Sequence, residues 1–179
     1  MRGIFSGWGR TSAAAGPGPA GDVLSAVRQR VQLTVSCRDA DPVPKVPNAG
    51  QVVEIPGGRV QIMHDGSRVM AGGYHGDWMI EVIKSLRGHH EPQEELLFHH
   101  LLEYVRPGTL VVELGCFWAY YTNWYLGAVP GSRAVCVEPN ASHLEVGRRN
   151  IAVNGRVAEF INALVGEATS PGAPGLECL

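Results

Sequence analysis

Two acidic residues and one glycine are spaced so that they could work on a small molecule. Glu113-Leu114-Gly115 closes an apolar run, and Glu138-Pro139-Asn140 closes a second one 25 residues later. If both runs are strands of one parallel sheet, their carboxyl ends lie side by side, where open α/β sheets bind ligands. A glycine bend at Gly115 lets backbone approach a ligand, and the helix start beyond it offers N–H groups to a carboxylate. Glu138 then accepts charge-assisted hydrogen bonds from both ribose hydroxyls of a nucleoside. Acid, bend and second acid together specify a nucleoside-bearing cofactor, without choosing between NAD and S-adenosylmethionine.

Three details favour the methyl donor. Glu113 precedes the bend, where it faces the cationic aminoacyl end of that donor. Phe117 and Ala119 stand where a pyrophosphate-binding loop would repeat glycines. Glu138 leads directly into Pro139-Asn140, a strand-to-helix transition with Asn140 as the natural N-cap.

The elements that must position these residues follow from the apolar pattern. Thr109–Glu113 and Arg133–Glu138 lack polar alternation, as strands buried on both faces do. Trp118–Leu126 and Ala141–Val153 read as helices, the second closed by Asn154-Gly155, and Val157–Ile161 offers a third strand. Before them, Glu91–Tyr104 is a helix with Pro92 at its first position and Leu97, Leu101 and Tyr104 on one face. Val52–Ile55 and Val60–Met63 flank Pro56-Gly57-Gly58 as a hairpin, with a third strand at Val69-Met70 and a helix over Asp77–Leu86. The expected fold class is α/β: a partial doubly wound, Rossmann-like parallel sheet of about three strands, with an N-terminal hairpin and helix extension and a sheet truncated at its C-terminus. The expected division is a flexible segment over residues 1–50, an accessory hairpin and helix over 51–90, a cofactor-binding half-domain over 91–167 and a flexible tail over 168–179. Gly7-Trp8-Gly9 lacks a preceding strand and is discarded as a glycine-loop fragment.

The run Val111-Val112-Glu113-Leu114-Gly115-Cys116-Phe117-Trp118-Ala119-Tyr120-Tyr121-Thr122, then Val137-Glu138-Pro139-Asn140, then Arg149-Asn150-Ile151-Ala152-Val153-Asn154-Gly155, resembles the FkbM-type family of class I S-adenosylmethionine-dependent methyltransferases. Glu91-Pro92 resembles that family's entrance to the helix before the first strand. The likeness covers residues 91–167. It implies Glu113, Gly115 and Glu138 as cofactor contacts, with Glu91, Thr122 and Asn140 beside them. Phe117 replaces the family's usual Asn, and Ala119 its Gly. The implied reaction is O-methylation of a hydroxyl on a small-molecule acceptor, a sugar or secondary metabolite, with S-adenosylmethionine as donor. The alternatives are a truncated or degenerate non-catalytic relative and a nicotinamide-dependent oxidoreductase.

Other features narrow the classes. With 17 acidic and 15 basic residues in 179, the chain carries a net charge of -2 and no electrostatic footprint for nucleic acid or anionic membrane. Cys37, Cys116, Cys136 and Cys178 are scattered, which suits a reducing cytoplasm rather than a disulfide framework. No apolar run approaches the ~20 residues of a membrane span, and Arg2 and Arg10 are followed by no signal-peptide core. The pairs His89-His90 and His99-His100 suggest zinc, but adjacent histidines on a helix diverge and no cysteine or carboxylate stands at ligand spacing, so no metal is expected. Phe117, Trp118, Tyr120, Tyr121, Trp124 and Tyr125 read as packing, with one of them available to border an adenosine.

Overall fold

The computed structural model describes residues 19–166, which divide into two compact units, 19–103 and 104–166. Gly7-Trp8-Gly9, Arg2, Arg10, Cys178 and the expected tail over 168–179 lie outside the described residues.

The first unit contains α1 (Pro19–Ser36), an antiparallel sheet of β1 (Val52–Ile55), β2 (Gly58–Ile62) and β3 (Arg68–Met70), then α2 (Asp77–Ser85) and α3 (Pro92–Leu102). Pro56-Gly57 closes the hairpin with Ile55 opposite Gly58, and Gly57 takes a φ of 93° that an L side chain resists. Val60, Met63, Val69, Val82 and Ile83 are buried. The segment over 1–50, expected as flexible with a weak helical or extended element over Val23–Val35, contains regular structure from Pro19 onward. Residues 19–36 are helical, and Ala40 and Val43 are buried. The proline-rich stretch needs no regular structure to be fixed. Lys45 Nζ donates to the carbonyls of Ala40, Asp41 and Val43, while Val46 N–H donates to His64 O and Gly50 N–H to Ile62 O.

Helix α3 also differs from expectation. Leu97, Leu101 and Tyr104 are 69%, 51% and 84% exposed, whereas Pro92 and Glu95 are buried. The helix is anchored through a carboxylate rather than an apolar stripe.

The second unit is β4 (Leu110–Leu114), α4 (Tyr120–Ala128), β5 (Arg133–Val137), α5 (Ala141–Ala152) and β6 (Glu159–Ile161). Its three strands are parallel, in the order β4-β5-β6, with Glu113 opposite Cys136 and Leu114 opposite Val137. Cys116, Ala119, Cys136, Leu144 and Ile151 form the core between sheet and helices. Both helices lie on the face that carries Glu113 and Cys136. β4 is therefore covered on one side only: Leu110, Val112 and Leu114 on the other side are 48%, 49% and 60% exposed, against the expectation of burial on both faces. Mixed α/β architecture with a parallel three-stranded sheet is thus the observed class.

Side chains tie α5 and the segment after it to the loop after β4 and to α4. Asn150, fully buried, donates from Nδ2 to Trp118 O at 2.9 Å, and Arg156 Nη1 donates to Asn123 Oδ1 at 2.6 Å. A Cβ on Gly147 would lie 3.0 Å from Phe117 O and 3.3 Å from Ala119 Cβ, so the helix and loop are in near-backbone contact. Asn150→Ala leaves the Trp118 carbonyl without this buried donor. It is expected to cost about 1–3 kcal/mol, read as a lowered urea midpoint for the second unit.

Candidate functional site

The bend after β4 and the end of β5 meet. Gly115 and Cys116 both donate their backbone N–H to Val137 O, at 2.8 and 3.1 Å, which places the bend against the last residue of β5. Gly115 has a φ of 74°, and a Cβ built there would find nothing within 4 Å. Space therefore lies open on that side of the bend.

Glu138 follows immediately and turns toward the bend. Its Oε2 accepts from Phe117 N–H at 3.2 Å and its Oε1 from Asn140 N–H at 2.9 Å. His143 Nδ1 stands 3.5 Å from Oε1, and its ring stacks on Phe117 with centroids 3.7 Å apart and planes 10° from parallel. Glu138 is 6% exposed, so this pair and the loop leave only a narrow approach to it. Asn140 is the N-cap of α5: its Oδ1 accepts from Ser142 N–H at 3.0 Å and His143 N–H at 3.4 Å. Gly115, Glu138 and Asn140 are therefore brought together at the carboxyl ends of adjacent parallel strands.

Glu113 and Thr122 form a layer beneath. Thr122, fully buried, donates its backbone N–H to Glu113 Oε2 at 3.0 Å and its hydroxyl to the same oxygen at 2.5 Å. Cys136 Sγ lies 3.4 Å from that hydroxyl. Glu113 thus satisfies a first-turn N–H of α4, and Thr122 positions the carboxyl group rather than reaching solvent. Burial pushes the Glu113 pKa up to about 7, the Thr122 hydrogen bonds opposing it. The folded state holds this proton more tightly than the unfolded chain does. The stability contributed by Glu113 is therefore fully present below pH 4.5, the unfolded value, and is lost as pH rises to about 7. A shift of this size corresponds to ~3 kcal/mol. Glu113→Gln should flatten the pH dependence of the second unit's unfolding free energy between these limits.

Phe117 and Ala119 adopt φ values of 40° and 55°, in the left-handed region that Asn and Gly occupy most easily. The loop keeps a shape suited to those residue types while carrying bulkier ones.

Glu91 stands apart from these residues in the chain's division, since it belongs to the first unit. It occupies the N-cap position of α3 without a side-chain capping bond, and its Oε2 lies 3.2 Å from His90 Nε2. Around it is a cluster that spacing did not reveal. His89 and His90 lie in the α2–α3 connection, not on a helix, and both approach the buried carboxylate of Glu95. His89 Nδ1 pairs with Glu95 Oε2, and His90 Nδ1 lies 2.5 Å from Oε1. The same Oε1 accepts the backbone N–H groups of His90 and Glu91 at 3.0 and 3.3 Å. Burial would lower the His90 pKa, but the hydrogen bonds it donates to Glu91 and Glu95 outweigh it and push it up to about 9. His99 and His100 sit elsewhere on α3, with His100 exposed. An open cleft of about 530 Å³ in this unit is lined by Arg38, Asp41, Lys45 and Arg87, but the Lys45 ammonium is already turned onto three carbonyls.

Comparison with protein-family models and with curated proteins finds no match for the chain. Among the described residues, no helix is long and apolar enough to cross a membrane.

Proposed function

We propose that the second unit is the cofactor-binding half of a class I S-adenosylmethionine-dependent methyltransferase of the FkbM type, with a Rossmann-like sheet, acting on a hydroxyl of a sugar or secondary metabolite. One observation carries this reading: the Glu138 carboxylate, at the end of β5, is hydrogen-bonded to the loop that leaves Gly115 at the end of β4. An acid held beside an open glycine bend fits the ribose of an adenosine moiety, because a carboxylate has about four acceptor positions and only part of them is taken here. Glu138 would hold the ribose, Gly115 would admit the ligand to the backbone, and Asn140 keeps the Glu138 carboxylate in place through its N–H. Glu113 would stand below, toward the aminoacyl end. When bound, the cofactor supplies an activated methyl group, and the protein's task is to hold donor and acceptor in line.

Isothermal titration of the full chain with S-adenosylhomocysteine and, separately, with NADH tests this. One-to-one binding of S-adenosylhomocysteine is expected; binding of NADH alone would instead make the site that of an oxidoreductase.

A second reading has its own support. Both Glu138 oxygens already accept backbone N–H groups, and the Phe117–His143 stack covers the approach to them. A methyltransferase-like module without catalysis would show these features. Phe117→Asn removes the stacked ring and separates the two: a gain in S-adenosylhomocysteine affinity supports a working site, whereas no binding in either form supports the non-catalytic module.

A further inference from the structure

The geometry points to a divalent transition-metal site in the first unit, with His64, His89 and Glu95 binding one zinc ion. It lies among residues 64–95 and does not rest on the methyl-transfer reading. One donor atom from each of these residues falls within 4.8 Å of the other two, and the three residues are 2%, 1% and 0% exposed. Two imidazoles and a carboxylate are a donor set that zinc accepts, with a fourth position left for solvent or another ligand.

The surroundings hold these donors as outer-shell partners hold metal ligands. His64 Nδ1 contacts Pro44 O at 3.1 Å. Glu95 Oε1 is fixed by the backbone N–H groups of His90 and Glu91. The two ligand-bearing segments are pressed together at the backbone: His64 N–H donates to Gly88 O at 3.1 Å, next to His89. The His64 and His89 rings stack with centroids 4.4 Å apart and planes 13° from parallel. Parallel rings cannot both point their nitrogen lone pairs at one ion, so one ring must turn. His89 is the ring to turn: it would exchange its Nδ1 pairing with Glu95 Oε2 for the ion, and its buried Nε2 has no hydrogen-bond partner among the described residues. Leaving such a nitrogen unpaired is unfavourable, and turning the ring to meet a cation removes that cost. With zinc–nitrogen bonds of about 2.0–2.1 Å, the donors close to roughly 3.3 Å apart. The ion would tie the turn after β2 to the N-terminus of α3.

The full chain, stripped of metal by chelator and dialysis, is titrated with ZnCl2 and, separately, with CoCl2. One zinc per chain is expected, together with cobalt ligand-field bands and no thiolate-to-cobalt charge transfer. His64→Asn and His89→Asn should each weaken zinc binding by more than about 100-fold, while His90→Gln, an outer-shell change, should weaken it roughly 10–100-fold. His99→Asn and His100→Asn should leave it unchanged. Should the ligand variants fail to fold, the cobalt-bound wild type still decides: two paramagnetically shifted imidazole N–H resonances are expected. Sub-stoichiometric zinc uptake, a thiolate charge-transfer band, retained affinity in His64→Asn and His89→Asn, or no shifted imidazole signal would overturn the assignment. In that event the cluster is a hydrogen-bonded core network only.

Discussion

Glu138→Gln is expected to weaken S-adenosylhomocysteine binding by at least about 100-fold. Hydrogen bonds to a charged partner contribute about 1.5–3 kcal/mol each, and the carboxamide loses both the charge and one of the two accepting oxygens. The substitution also acts on the empty protein. Glu138 Oε2 accepts Phe117 N–H, and Oε1 accepts Asn140 N–H. An amide nitrogen in place of either oxygen faces an N–H donor. A moderate fall in thermal stability is therefore expected as well, and it must be measured beside the titration. His143→Ala serves as the comparison. It removes the ring that stacks on Phe117 and lies 3.5 Å from Glu138 Oε1, but keeps the carboxylate. Affinity retained or raised in His143→Ala and lost in Glu138→Gln assigns binding to the carboxylate. Equal binding by wild type and Glu138→Gln would remove the ribose from position 138.

Gly88→Ala should be among the most damaging single changes in the first unit, at about 3–4 kcal/mol. Gly88 has a φ of +92°, and a Cβ there would lie 2.3 Å from His64 N, 2.7 Å from Met63 C and 2.8 Å from His64 Cα. These are backbone atoms of a buried segment and cannot swing aside. The left-handed backbone costs an L residue about 1–2 kcal/mol, and forcing volume into a packed interior adds about 1–3 kcal/mol. Gly57→Ala isolates the first contribution, because Gly57 has a φ of +93° with nothing within 4 Å of the added atom. Denaturant unfolding should place Gly57→Ala near 1 kcal/mol of destabilisation and Gly88→Ala well beyond it. Similar values for the two would mean that the His64 segment can move away from Gly88.

The second unit was readable because its information is local. Unbroken apolar runs became β4 and β5, the segments that follow each of them became α4 and α5, and Asn140 capped α5 as its residue type predicts. The meeting of Glu138 with the Gly115 loop followed from one rule, that parallel strands end on the same side. What was lost depended on tertiary neighbours. An apolar run cannot report that helices cover only one face of β4, nor can a stripe on α3 report that Leu97 and Leu101 stay exposed. The His64–His89 pairing was invisible for a similar reason, since β3 and α2 intervene in the chain. The stretch before Gly50 reads as flexible in the sequence because its order comes from Lys45 and scattered backbone bonds, which leave no periodic trace.

The left-handed conformations at Phe117 and Ala119 have a consequence for how the second unit comes apart. Each such residue stores about 1–3 kcal/mol when its surroundings impose the shape. The loop is thus a latch under tension, with the catch on α5: Asn150 grips Trp118 O, and Gly147 lets the helix axis come close. Loss of the Asn150 hydrogen bond or of the close approach at Gly147 would remove part of what holds this loop in its left-handed shape.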